Sequence, residues 1–395
     1  MIKKIFIAFL IWKSVIFIYT MNVTHLFPDI PYYQAKNLFS DRYHELIWRF
    51  ANMDGLNYLR IARNGYNLDN IPFFPLYPLI VRFFANTFFH HRYFTPISQI
   101  VSNLSFLASL FVTYKIIQKD RYTKLFPTIL LIMISFPTAF FYGASYNDSL
   151  FFLLASLSIY SVRRYSLFSA SMWGALATLV RLNGVVLFVF ILTEHFIKAN
   201  KIEYFPQFLS RLPKFSLLVK KAFSLKQIIR KKLYLTFIIP ASFLSFLLYI
   251  QLKFGNWHLL FSTMKIWGQD RIILLPQVFW RYFKILVVYP TFKLNYWIAA
   301  IELLFVIFYI FILAYSFNKL RISYWIFMFF SFLIPSLTGT FAGMPRYGLH
   351  LYPLFLSTTL FLNSTNSLVR ILYFTTSIFL LFVMLAFYVN GYFVA

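Results

Sequence analysis

RFANMDGLNYLRIARNGYNLDNIPFFPLYPLI, residues 49–80, is a polar interruption in an apolar chain. It holds Asp54 and Asp69, lies just after Asp41, is punctuated by Gly65 and closes on a Pro-spaced aromatic run at 73–78. The protein has only 11 acidic residues in 395, so aspartates gathered here need a reason. Apolar runs stand on either side, at 5–20 and 96–117. Whether the interval between them is a core segment or an exposed loop decides the fold.

Composition answers that question. The chain is 60% hydrophobic, 12% charged and 23% aromatic, with a mean hydropathy of +0.70. A soluble domain lacks the interior to hide so much apolar surface. Repeated apolar runs of about 17–25 residues are what a bilayer asks of spanning helices. The expectation is an all-α polytopic membrane protein, with 49–80 in a large external loop.

The formal net charge of +26 raises nucleic acid as a partner. The basic residues argue against it, because they fall in short segments between apolar runs, as in cytoplasmic loops. There is no cysteine, which removes disulfides, thiolate metal sites and Cys nucleophiles.

Lys3 and Lys4 precede the first apolar run, and no small-residue cleavage site follows it. The expected first helix is therefore uncleaved, with its N-terminus inside. Residues 22–94 then lie outside, with one helix over 43–64 capped at Asn64-Gly65. Leu46, Phe50, Met53 and Asn57 would share a face of that helix and lay it along the interface. Further spans are expected at 96–117, 125–142, 150–162, 167–180, 184–196, 233–252, 296–315, 324–341 and 349–362, with a last one after Arg370, about eleven in all. Residues 253–289 are expected outside, with interfacial helices. Residues 198–232 carry ten Lys and Arg against Glu203 alone and are expected to be cytoplasmic. This basic loop reads first as a topology determinant and second as a contact for anionic lipid headgroups. The whole of 1–395 reads as one membrane-embedded domain, with no internal repeat of the inverted transporter kind.

This topology sends Asp54, Asn57, Tyr58, Asp69, Tyr146, Asp148, Arg181, Asn183, His258, Asp270, Arg271 and Arg346 to one membrane face. A guanidinium clamps phosphate through paired N–H donors. A carboxylate can take the proton of an alcohol nucleophile. Together they suit transfer from a phosphate-bearing lipid to a hydroxyl. Each residue also has a plainer reading. Asp54 could be a solvated interfacial charge, and Asp148 could N-cap the helix after it. Arg181 and Arg346 could anchor helix ends at headgroups. His258 reads as structural, and residues 73–78 as packing that stiffens the turn into a span. No P-loop, Rossmann fingerprint, nucleophile elbow or His-Glu-x-x-His helix is present. No segment is long enough for a soluble nucleotide-sugar domain, so the donor is expected to be lipid-linked.

Several blocks resemble the GPI mannosyltransferase II (PIG-V-like) family and its prokaryotic relatives, within the GT-C superfamily of membrane glycosyltransferases. They are Met53-Asp54-Gly55-Leu56-Asn57-Tyr58, Ile61-Ala62-Arg63-Asn64-Gly65-Tyr66, and Phe73-Phe74-Pro75-Leu76-Tyr77-Pro78-Leu79. Further blocks are Tyr146-Asn147-Asp148-Ser149-Leu150-Phe151, Arg181-Leu182-Asn183-Gly184, and Arg346-Tyr347 with Pro353. Met53 and Asn57 stand where the family has Trp and His. The resemblance implies a GT-C-like bundle of about eleven helices and a polyprenyl-phosphate sugar donor, typically mannose. It implies inverting transfer to a lipid, glycolipid or envelope acceptor, with Asp54 as general base. Asn57, Tyr58, Asp148, Arg181, Asn183 and Arg346 are the candidate substrate contacts. No metal site is assigned, and the sequence leaves a divalent cation open as a cofactor. The active face would be external in a prokaryotic plasma membrane, or luminal in an ER membrane. The competing readings are a lipid-linked sugar flippase or other transporter, which would need polar residues across the bilayer middle, and a non-catalytic membrane subunit.

Overall fold

The computed structural model describes residues 1–24, 27–28, 30, 45–269 and 271–394. Asp41, Asp270 and the start of the expected 43–64 helix lie outside the described residues. The described chain is helical, without a strand. Its main helices are α1 (Ile2–Val23), α2 (Asp54–Asn64), α3 (Leu76–Phe89), α4 (Phe94–Lys119), α5 (Phe126–Ser135), α6 (Asp148–Arg163), α7 (Leu167–Val180), α8 (Val186–Asn200), α9 (Phe215–Phe223), α10 (Ile238–Phe254), α11 (Leu275–Val288), α12 (Leu294–Ser316), α13 (Ile322–Ser336), α14 (Tyr352–Asn363) and α15 (Ser367–Val389).

Among the described residues six helical stretches are long and apolar enough to cross a membrane: Ile2–Val23, Phe94–Lys119, Leu182–Asn200, Leu233–Phe254, Leu294–Ser316 and Ser367–Val389. Four more are apolar but shorter, among them α3, α7 and α13. The shorter ones are cut by identifiable residues. The expected run over 125–142 ends at Ser135, because Pro137 holds Phe136 extended (ψ 138°), and the chain resumes as a 3-10 turn at Ala139–Gly143. The 349–362 run likewise starts late. Residues Gly348–His350 form a separate 3-10 turn, and α14 begins at Tyr352.

Helix α6 sits at the centre, packed between α4 and α7. Its serines allow close approach, and Ser158 Oγ donates to the Ala170 carbonyl on α7 at 2.8 Å. Large aromatics fill what remains: Phe106 of α4 stacks on Tyr142 at 4.0 Å between ring centroids. The turn from α7 into α8 is tight enough to demand glycine. A Cβ on Gly184 would fall 2.3 Å from the Thr178 backbone nitrogen.

The helix expected over 43–64 is not continuous. A short helix (Glu45–Trp48) runs into a 3-10 turn (Arg49–Ala51); Asn52 is extended, and Met53 takes φ +56°. Only then does α2 start, and it ends as expected on Gly65, whose N–H donates to Ile61 O. The break has a tertiary cause. The Ser145 N–H donates to Phe50 O at 2.8 Å, Tyr146 Oη donates to Asn52 O at 2.9 Å, and Asn52 Nδ2 donates to Tyr388 O at 3.1 Å. Arg49 Nη1 also reaches Val389 O at 2.8 Å. These bonds to distant segments offset a Met φ in sterically poor space, a cost of about 1–3 kcal/mol. The predicted shared face is therefore lost: Leu46 and Phe50 lie before the break and are buried, whereas Met53 and Asn57 are half-buried at and after it.

Candidate active site

The break places Asp54 in the first turn of α2, where a carboxylate is favoured by the exposed N–H groups. Its side chain is 32% exposed, and Oδ2 lies 2.9 Å from Arg346 Nη1. Arg346 comes from a four-residue helix, Met344–Tyr347, entered through Gly343 at φ +78° and started by Pro345. Its guanidinium lies over the rings of Tyr146 (5.2 Å) and Phe141 (5.4 Å). Its Nε lies 3.8 Å from Asp148 Oδ1, too long for a hydrogen bond, and is buried without an acceptor among the described residues.

Asp148 begins α6 and is fully buried. The N-cap position belongs to Asn147, which makes no side-chain cap bond, so the capping role open to Asp148 in the sequence is not taken up. The Asp148 carboxylate turns instead to Arg181 and His350. Arg181 Nη1 and His350 Nε2 each lie 2.6 Å from Asp148 Oδ1 and 2.8 Å from one another. An ionised carboxylate only accepts, so both nitrogens donate to that oxygen and His350 carries its proton on Nε2. Asp148 Oδ2 and His350 Nδ1 are buried and have no hydrogen-bond partner among the described residues. Arg181 is held extended at the end of α7, and its guanidinium lies over the Tyr347 ring at 4.8 Å.

His350 lies in the turn before α14. Burial, then the Arg181 charge, pushes its imidazole down to about 4, so it is neutral near pH 7. Burial alone would weaken the charge on Arg346, but Asp54 and Asp148 reverse that and hold its pKa above the ordinary arginine value. Two carboxylates thus face two guanidiniums and a neutral imidazole. The cluster is balanced, and its exposed member is Asp54. An anion that takes Arg346 Nη1 must displace the Asp54 carboxylate from it.

The remaining candidates do other things. Tyr58 is buried behind Asp54, edge-on to Phe73, Tyr77 and Tyr146. Asn57 is half-buried one turn after Asp54. Asn183 spends its amide on the Ser331 carbonyl at 3.3 Å, tying the α7–α8 turn to α13. Asp69 is exposed in the 3-10 turn Leu68–Asn70. The exposed His258 stacks on Trp257 at 3.7 Å, away from the cluster. Residues 73–78 pack, with Tyr77 Oη on Ser98 O and Ser102 Oγ. His350 is the member of the cluster that the sequence reading passed over. Its one local signal is its place four residues after Arg346.

Among the described residues no group of three or more His, Asp or Glu side chains could hold a metal ion. The donor set argues the same way, because both site carboxylates are already met by guanidiniums. The cluster is recessed. Tyr146 O accepts from Ser102 Oγ at 2.9 Å, eight residues into α4, which is roughly 12 Å below that helix's N-terminal end. Comparison of the chain with protein-family models, curated proteins and solved structures found no match.

Proposed function

We propose that the protein is an integral-membrane glycosyltransferase that moves a sugar, most simply mannose, from a polyprenyl-phosphate donor to an acceptor hydroxyl with inversion. The observation that carries the reading is the Asp54–Arg346 pair. A third-exposed carboxylate meets, at 2.9 Å, a guanidinium from the far half of the chain, and a second arginine stands behind Asp148. In this reading the donor phosphate takes Arg346 and so releases Asp54. The acceptor oxygen attacks the anomeric carbon, and its proton passes to Asp54. The bond between the anomeric carbon and the phosphate oxygen breaks, and polyprenyl phosphate leaves with the electron pair, its charge held by Arg346 with Arg181 nearby. The buried rings of Phe141 and Tyr146 hold the Arg346 guanidinium in place from beneath.

The resemblance in motif order over roughly residues 45 to 355 supports the same reading, and a passage of about eleven helices through the membrane is part of the proposal. The resemblance also supports an acceptor that is a lipid, glycolipid or envelope component. Helix α6 runs from Asp148 to Arg163, which shares a cleft with Lys198, Lys201 and Lys231, and positive loops stay inside. The active face is then external in a prokaryotic plasma membrane, or luminal in an ER membrane.

The test is transfer by purified protein in liposomes, with labelled polyprenyl-phosphate mannose and extracted lipid acceptors. A general base contributes roughly 10²–10⁴-fold. Asp54→Asn should lower transfer by that factor at normal expression. Near-wild-type transfer by the variant would sink the assignment. Mass spectrometry of lipid-linked glycans from a deletion strain would name the sugar and acceptor.

A further inference from the structure

A second polar constellation lies at the other end of the bundle. Asp148 and Arg163 stand at opposite ends of α6, roughly 22 Å apart at helical rise. Around Arg163 opens a cleft of about 560 Å³. Six cations line it: Lys119, Arg163, Lys198, Lys201, Lys231 and Arg321. They converge from five separate segments, the ends of α4, α6 and α8, the close of the basic loop, and the residue before α13.

The two arginines are already matched. Arg163 lies 2.7 Å from Asp120 and 3.5 Å from Glu194; Arg321 lies 2.7 Å from Glu194 and 2.9 Å from Glu203. Ser323 also donates to Glu194. The arginines and carboxylates therefore form a braced floor. The four lysines are not matched. Among the described residues none of them lies within ion-pair distance of a carboxylate, and Lys198 Nζ rests on the Tyr165 ring at 3.3 Å. Like charges gathered around one cleft repel each other, and an anion between them relieves that repulsion.

A topology determinant needs positive charge only on the correct side of the membrane. It does not need lysines from separate helices to meet. Lys214, Lys220, Lys221, Lys226 and Lys232 of the same basic loop do not line the cleft. The convergence therefore asks for a ligand. Ammonium groups on flexible stems, above a floor whose guanidiniums are occupied, suit the compact charge of a phosphate.

We propose that this cleft binds a phosphate-bearing anion, either an anionic phospholipid headgroup or a soluble phosphate compound, at the face opposite Asp54. The site stands independently of the proposed transferase chemistry. The test uses the full chain in two arms. In phosphatidylcholine nanodiscs, inorganic pyrophosphate is titrated as the soluble probe. In detergent, native mass spectrometry compares retention of phosphatidylglycerol with that of phosphatidylcholine. Lys198→Gln/Lys231→Gln removes two cleft lysines, and Lys220→Gln/Lys221→Gln removes two loop lysines outside it. Saturable binding of either probe is expected, weakened roughly tenfold or more by the cleft pair and unchanged by the loop pair. Saturable pyrophosphate binding identifies the soluble source, and selective phosphatidylglycerol retention the lipid source. Absence of saturable binding in both arms, or equal weakening by both variant pairs, overturns the proposal.

Discussion

Replacing Asp148 by Asn and Arg181 by Gln, singly and together, probes the ion pair on which the cluster is built. Asp148 is fully buried, Arg181 is 12% exposed, and their closest atoms are 2.6 Å apart. Charge centres about 4 Å apart interact by about 4 kcal/mol at an effective dielectric constant of about 20. Removing one partner of a buried pair costs about 3–5 kcal/mol, because the other charge stays behind. Asp148→Asn should sit at the upper end. It strands Arg181 and leaves Arg346 balanced by Asp54 alone. Arg181→Gln should cost less, since Asp148 keeps the His350 donor at 2.6 Å and Arg346 at 3.8 Å. The double variant loses both charges, so its cost should fall short of the sum by about 2 kcal/mol or more. The assay is reversible SDS unfolding in mixed micelles, followed by tryptophan fluorescence from the eight tryptophans. Additivity within about 0.5 kcal/mol would mean that the two sites act independently, and the electrostatic account of the cluster would be wrong.

Three further outcomes are expected. Gly184→Ala forces a Cβ to within 2.3 Å of the Thr178 backbone nitrogen and 2.5 Å of its Cα, so the α7–α8 turn must shift; a loss of about 3 kcal/mol is expected in the same unfolding assay. Met53→Gly removes the side chain from φ +56° and ψ −121°, the mirror of an ordinary extended conformation, and should stabilise the protein by about 1 kcal/mol. An unchanged or lower midpoint would show that Met53 is not strained there. Burial and the Arg181 charge lower His350 from 6.5 to about 4, so between these values the unfolded chain binds the proton that the folded site refuses. Stability should therefore fall as pH drops from 6.5 towards 4, and His350→Gln should flatten that limb of a pH–stability curve.

Much of this molecule is local in origin and so was legible in the sequence. Apolar run length led to about eleven expected spans, of which six helices among the described residues are long and apolar enough to cross a membrane. The Asn64-Gly65 pair stops α2 because glycine accepts φ +83° there. The scarcity of acidic residues singles out Asp54, and the expected topology with the motif resemblance adds Asp148, Arg181 and Arg346 on the same face. Other features depend on contacts between distant segments, which no window of sequence contains. The continuous helix expected before Asn64 is broken at Asn52 and Met53 by hydrogen bonds from residues 145 and 146 and to the carbonyls of Tyr388 and Val389, and that break sets Asp54 at a helix start. His350 reads alone as an isolated histidine; beside a fully buried Asp148 it becomes a hydrogen-bond donor to the cluster. Asn183 matched a motif yet serves a backbone carbonyl, because the α7–α8 turn faces α13. The lysines of 198–232 read as one basic loop until the helix ends divide them into those that face a cleft and those that do not. Hydropathy and capping act over a few residues, whereas the meeting of charges is decided by how the helices pack.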